Sequence, residues 1–118
     1  MKNATIQLVL LDDDAWLRRN WELRSDAAGI TLASYANPDI FLNEIESISK
    51  VTPIFVDYDL GHKIHGLEVL RKLSRKGYKN LHLASGMCSF EGTIENFPFK
   101  ITSKEFPNYL FAKKGETA

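Results

Sequence analysis

The sequence predicts an α/β domain: a doubly wound, three-layer α/β/α sandwich built on a five-stranded parallel sheet of order 2-1-3-4-5. Three observations lead there. Strand-like and helix-like stretches alternate five times along 118 residues, as expected of a parallel sheet joined by right-handed helical crossovers. The runs Gln7 to Leu11 and Ile54 to Val56 are almost wholly apolar, which marks strands buried on both faces. Both runs end abruptly in acids, Asp12-Asp13-Asp14 and Asp57-Tyr58-Asp59. In open α/β sheets the ligand crevice lies outside the carboxyl ends of the strands, so these acids stand at its mouth.

The first helix is expected from Ala15 to about Ala28, with Leu17, Trp21 and Ala28 on one face, Asp14 as its cap and Gly29 as its stop. Thr31 to Tyr35 has strand composition. Asn37-Pro38-Asp39 opens a second helix, with a capping amide, a proline in the first turn and an acid at the positive end. Phe41, Ile45 and Ile48 form its apolar stripe. A third helix runs from about Gly66 to Lys76 with Leu67, Leu70 and Leu73 inward, and Leu81 to Ala84 form a fourth strand ending in Ser85-Gly86. Met87 to Asn96 has few apolar residues at helical spacing, so a helix there is short or irregular. Phe97 to Ile101 reads as a fifth strand, placed at a sheet edge because Pro98 cannot donate to a ladder. Thr102 and Glu105 have capping-box spacing for a last helix, which Pro107 delays.

One domain, residues 1–118, accommodates this length and its 44% hydrophobic content. Fifteen basic and fifteen acidic side chains cancel, leaving no electrostatic footprint for nucleic acid or an anionic membrane. Cys88 is the only cysteine, which excludes an internal disulfide and a cysteine-built zinc site. No stretch has the length of a membrane span and no signal-peptide core is visible, so a cytoplasmic location is expected.

If the first and third strands are neighbours, Asp12, Asp13 and Asp57 converge. Carboxylates that close cannot all remain charged and unpaired. A hard divalent ion resolves the repulsion, and oxygen ligands of this kind suit Mg2+. Ser85 and Lys100, each read as ending a strand, bring a hydroxyl and an ammonium to the same crevice. The chemistry this suggests is phosphoryl transfer onto a carboxylate, with Asp57 as nucleophile and Lys100, Ser85 and the metal neutralising phosphoryl oxygens.

Here the sequence resembles the receiver domain of bacterial two-component response regulators. The residues that carry the likeness are Leu8 to Asp13, Ile54 to Leu60, Gly66-Leu67-Glu68-Val69-Leu70, Ala84-Ser85-Gly86 and Phe99-Lys100. The resemblance implies a flavodoxin-like fold and Mg2+-dependent phosphorylation of Asp57 by a sensor histidine kinase or phosphotransfer protein. It implies metal contact from the Asp59 backbone carbonyl, and a switch read through Ser85 and an aromatic at Phe97. A downstream protein target or output domain would receive the signal, and the face around the fourth segment, fifth strand and last helix is where a homodimer would form. Such a chain is a phosphoacceptor in a phosphorelay, not an enzyme that turns over an external substrate. The sequence departs from the family in having Ile101 after Lys100 where proline is usual, a short stretch from Ser85 to Lys100, and Gly61 where proline is common.

Two other readings compete. A receiver-like module could bind partners without phosphorylation. Asp57-Tyr58-Asp59 also looks like the acidic motif of haloacid-dehalogenase-type phosphatases, although those place that strand first and carry a larger core. His62 and His65 are expected to be solvated loop residues, His82 a satisfied core histidine, and Trp16 and Trp21 packing or surface cover.

Overall fold

The computed structural model describes residues 5–58, 60, 65–84 and 99–111. Its strands are β1 (Leu8–Leu11), β2 (Leu32–Tyr35), β3 (Ile54–Asp57), β4 (Leu81–Ala84) and β5 (Lys100–Thr102). They form one parallel sheet of order β2-β1-β3-β4-β5, the predicted order. Among the described residues three α-helices accompany them: α1 (Ala15–Ala28), α2 (Pro38–Glu44) and α3 (Gly66–Arg75).

Successive side chains of a strand point to opposite faces, and that divides the core in two. Val9, Leu11, Ile54, Val56 and Leu83 pack with Phe41 and Ile45 and with Val69, Leu70 and Leu73 of α3. On the opposite face Leu8, Leu10, Phe55 and Ala84 pack with Trp21 of α1 and with Phe106. The leucines and Phe55 among these are at most 1% exposed. Burial of each such side chain contributes about 2 kcal/mol, so the apolar pattern fixes which face each helix covers.

Both predicted caps form. The Asp14 carboxylate accepts the N–H groups of Trp16 and Leu17 at 2.9 and 3.3 Å, and Gly29 ends α1 at φ 71°. The Asn37 side chain accepts from Asp39 and Ile40. On α1 the buried residues are Trp21 and Ser25, whereas Ala28 is exposed.

The end of the chain differs from expectation. Lys100 opens β5 instead of closing it, and Phe99 is buried just before it. Thr102 belongs to β5 and caps nothing. Past Pro107 the described residues hold only a short 3-10 turn, Asn108–Leu110. Among the described residues no helix is long and apolar enough to cross a membrane.

Gly66 starts α3 directly beneath the end of β3, donating its N–H to Tyr58 O at 3.0 Å. A Cβ here would overlap the Asp57 carbonyl oxygen and crowd Asp57 C and Tyr58 Cα at 2.9 and 3.0 Å. These obstacles are backbone atoms and cannot rotate away. Gly66→Ala is expected to cost about 2 kcal/mol of stability in denaturant unfolding, and to shift the backbone amide resonances of Asp57 and Tyr58. Unchanged stability and spectra would contradict this packing.

Candidate functional site

Asp12 is the first residue past β1, and Asp57 is the last of β3. The register Leu11↔Val56 makes them neighbours at the carboxyl edge of the sheet. Asp12 is fully buried and held at several points. Its N–H donates to Tyr35 O at 3.0 Å, its Oδ1 accepts from Asp14 N at 2.9 Å, and its carbonyl accepts from Arg18 Nη1 at 2.8 Å. Asp57 is 6% exposed, whereas Asp13 faces solvent at the rim. One oxygen from each of Asp12, Asp13 and Asp57 lies within 4.8 Å of the others, so the three acids converge as the sequence suggested.

The amine among them is Lys104. Its Nζ stands 3.0 Å from Asp57 Oδ1 and 3.2 Å from Asp12 Oδ2. Lys100 was expected there, and the sheet register explains why it is elsewhere. Asp57 is level with Ala84, and Ala84 is level with Thr102. Lys100 pairs with His82, two residues back along the strands, or about 7 Å, and its side chain is exposed. Lys104, two residues beyond Thr102, returns over the end of the sheet to reach both acids.

Burial sets the charge behaviour of this cluster. It pushes the Asp57 carboxyl up to about 6, with the neighbouring Asp12 charge adding to the rise and Lys104 opposing it. Asp12 is raised as well, chiefly by burial. Burial works against the Lys104 ammonium, yet Asp57 and Asp12 together hold its pKa above the ordinary lysine value. Asp12 Oδ2 meets Lys104 as an ion pair at 3.2 Å and, among the described residues, accepts no well-aligned hydrogen bond. A buried carboxylate oxygen left in this state, beside two further acids, fits a hard divalent cation that keeps other positions open for water or substrate.

Ser85, Phe97 and Asp59, together with His62 and Cys88, lie outside the described residues. His65 is exposed just before α3. His82 is a core residue, 1% exposed. Its Nε2 is paired with Asn80 Oδ1 at 2.7 Å and its ring is stacked on Phe55 at 4.1 Å. Burial and then the Lys100 charge push its pKa down to about 4. Lys104, Arg18 and the part Trp21 plays beside Lys104 escaped the sequence reading.

The chain matches no protein-family model and no curated protein. Solved structures do match. TrrA of Thermotoga maritima, a response regulator protein in complex with Mg2+–BeF, superposes with TM-score 0.70 at 16% identity over 87% of this chain and 90% of that one. A response regulator receiver domain protein of Clostridium thermocellum gives 0.64 at 16% identity over 84% and 82%. The response regulator StyR gives 0.70 at 14% identity, covering 91% of this chain but 55% of that one. The chain has the receiver-domain fold.

On this receiver fold, taking Lys104 as the site lysine removes one departure read from the sequence and leaves another in place. The stretch from Ser85 to the lysine gains four residues, and the residue after the lysine is Glu105, still not proline. The position three before the lysine moves from Phe97 to Ile101, an aliphatic side chain 36% exposed on β5.

Proposed function

We propose that this chain is the phosphoacceptor domain of a two-component or phosphorelay system, modified on Asp57 by a histidine kinase or phosphotransfer protein. The observation that carries the reading is the bridging ammonium of Lys104, within 3.2 Å of both Asp12 and Asp57 at the carboxyl edge of the sheet. An oxygen of Asp57 attacks the phosphorus, and the bond from phosphorus to the donor breaks, its electron pair leaving with the donor. Lys104 swings from the acids to a phosphoryl oxygen and neutralises it, as phosphoryl transfer requires. Asp12, Asp13 and Asp57, with the Asp59 carbonyl, would hold Mg2+, which supplies further charge neutralisation when bound. Ser85 is the proposed hydroxyl partner of the phosphoryl group and, with the position three before the lysine, of the switch. The product is a modified protein that a downstream target or output domain reads, so turnover of an external substrate is not part of the role.

The test is incubation with Mg2+ and acetyl phosphate followed by intact mass. One phosphoryl group is expected on the wild-type chain and none on Asp57→Asn. A wild-type chain that stays unmodified at millimolar Mg2+ would instead support a phosphorylation-independent interaction module.

A further inference from the structure

Lys104 lies beyond the last residue of β5 and before the 3-10 turn, in a segment with no strand or helix ladder of its own. A lysine side chain on an unsupported backbone reaches a large volume, and ordering it costs about 2 kcal/mol of rotamer entropy. Its ammonium nevertheless stands between two acids. The support comes from α1. Trp21, fully buried, donates its indole N–H to the Lys104 carbonyl at 3.1 Å across 83 residues of sequence. Its ring also meets Phe55 edge-on at 5.4 Å and Phe106 at 5.5 Å. Phe55 is two residues before Asp57 and Phe106 two residues after Lys104. One ring therefore braces both segments that carry the site's opposite charges.

We propose that Trp21 is a positioning residue for Lys104. Its indole N–H fixes the Lys104 backbone so that the ammonium descends between Asp12 and Asp57 rather than into solvent. A buried indole needs an acceptor for its N–H, and here it takes the carbonyl of the lysine that, among the described residues, touches the acid cluster. For its consequence in phosphoryl transfer the inference rests on the phosphoacceptor reading. The coupling between Trp21 and Lys104 stands apart from it.

The ammonium and a divalent ion compete for the same carboxylates, which gives a readout whose sign separates positioning from packing. Trp21→Phe keeps an aromatic ring but removes the donor together with part of the buried ring volume, and the double variant below separates the two losses. With the Lys104 backbone loosened, Mg2+ is expected to bind about threefold more tightly than to the wild-type chain, and Lys104→Ala to bind it about tenfold more tightly. Adding Trp21→Phe to Lys104→Ala should change nothing further, because the group it acts through is gone. Weaker Mg2+ binding in Trp21→Phe, or an equal shift in both backgrounds, would show that the ring merely fills space and would overturn the proposal. Should Trp21→Phe fold poorly, the native residue reports on itself. In a Trp16→Phe chain the single remaining indole N–H resonance should move on Mg2+ addition, and the same resonance in Lys104→Ala should stay put. Movement of equal size in both chains counts against the coupling. A failure of acetyl phosphate to label the wild-type chain would defeat the phosphoacceptor reading while leaving these metal measurements to judge Trp21.

Discussion

Lys104→Ala is expected to slow phosphorylation of Asp57 by acetyl phosphate about a hundredfold, the lower end of the range for losing one charge-stabilising donor. Lys100→Ala should leave the rate within about twofold, since Lys100 is exposed on the outermost strand and aligned with His82 rather than with Asp57. The same pair separates in stability. Removing Lys104 leaves Asp12 and Asp57 buried without the cation they share, which should cost about 2 kcal/mol in the metal-free chain near pH 7. Mg2+ should recover part of that loss, because the ion takes over the neutralisation. Quenched-flow or timed intact-mass labelling gives the rates and urea unfolding gives the stabilities. If Lys100→Ala proved the slower of the two, the placement of the amine given above would be wrong.

Why the sequence pointed to Lys100 follows from how little an edge strand shows. β5 is three residues long, and none of its side chains is buried, so it carries no alternating or continuous apolar signal. The stronger apolar cluster around Phe99 precedes it and drew the strand forward, taking the lysine assignment with it. Thr102 and Glu105 have helix-capping spacing, but Thr102 is paired with Ala84. The Glu105 N–H goes to Ser103 Oγ at 3.3 Å, a local turn with the same residue types as a cap. A usable signal did exist in Phe106, two residues after Lys104, since a buried aromatic there must draw the intervening loop back over the sheet. By contrast β1, β3 and β4 were legible because each is buried along its whole length, and α1 and α2 because Asp14 and Asn37 cap them. The acid cluster was legible for a related reason. Once β1 and β3 are adjacent, Asp12 and Asp57 have nowhere else to go. The hold of Trp21 on Lys104 joins residues 83 apart in sequence, and no local pattern encodes that.

In the metal-free chain two buried groups should tilt stability in opposite directions over the same pH range. The Asp57 carboxyl titrates at about 6 in the folded protein against an ordinary 3.8. The folded state thus holds its proton more tightly than the unfolded chain. The contribution of Asp57 is fully present below pH 3.8 and is lost as pH rises through 6, by up to roughly 3 kcal/mol. Asp12, also raised, acts in the same sense. His82 does the reverse. Its folded value is about 4 against an ordinary 6.5, so the unfolded chain holds the proton more tightly. Stability is therefore full above pH 6.5 and falls by a comparable amount as pH drops toward 4. The wild-type profile between pH 4 and 6.5 should accordingly be shallow, not because nothing titrates but because the slopes oppose. Asp57→Asn removes one slope and leaves Asp12 alone with Lys104, so stability should then climb with pH across that window. His82→Gln removes the other, and stability should decline from about pH 4 to 6. Thermal unfolding of the three chains in chelator at half-unit pH intervals measures both. Parallel profiles for all three would mean that neither group is buried in its charged form at the cost inferred here. Mg2+ adds a further discriminator. It should abolish the Asp57 slope by holding the carboxylate ionised and leave the His82 slope intact, because the imidazole lies against Phe55, beneath the acid cluster rather than within it.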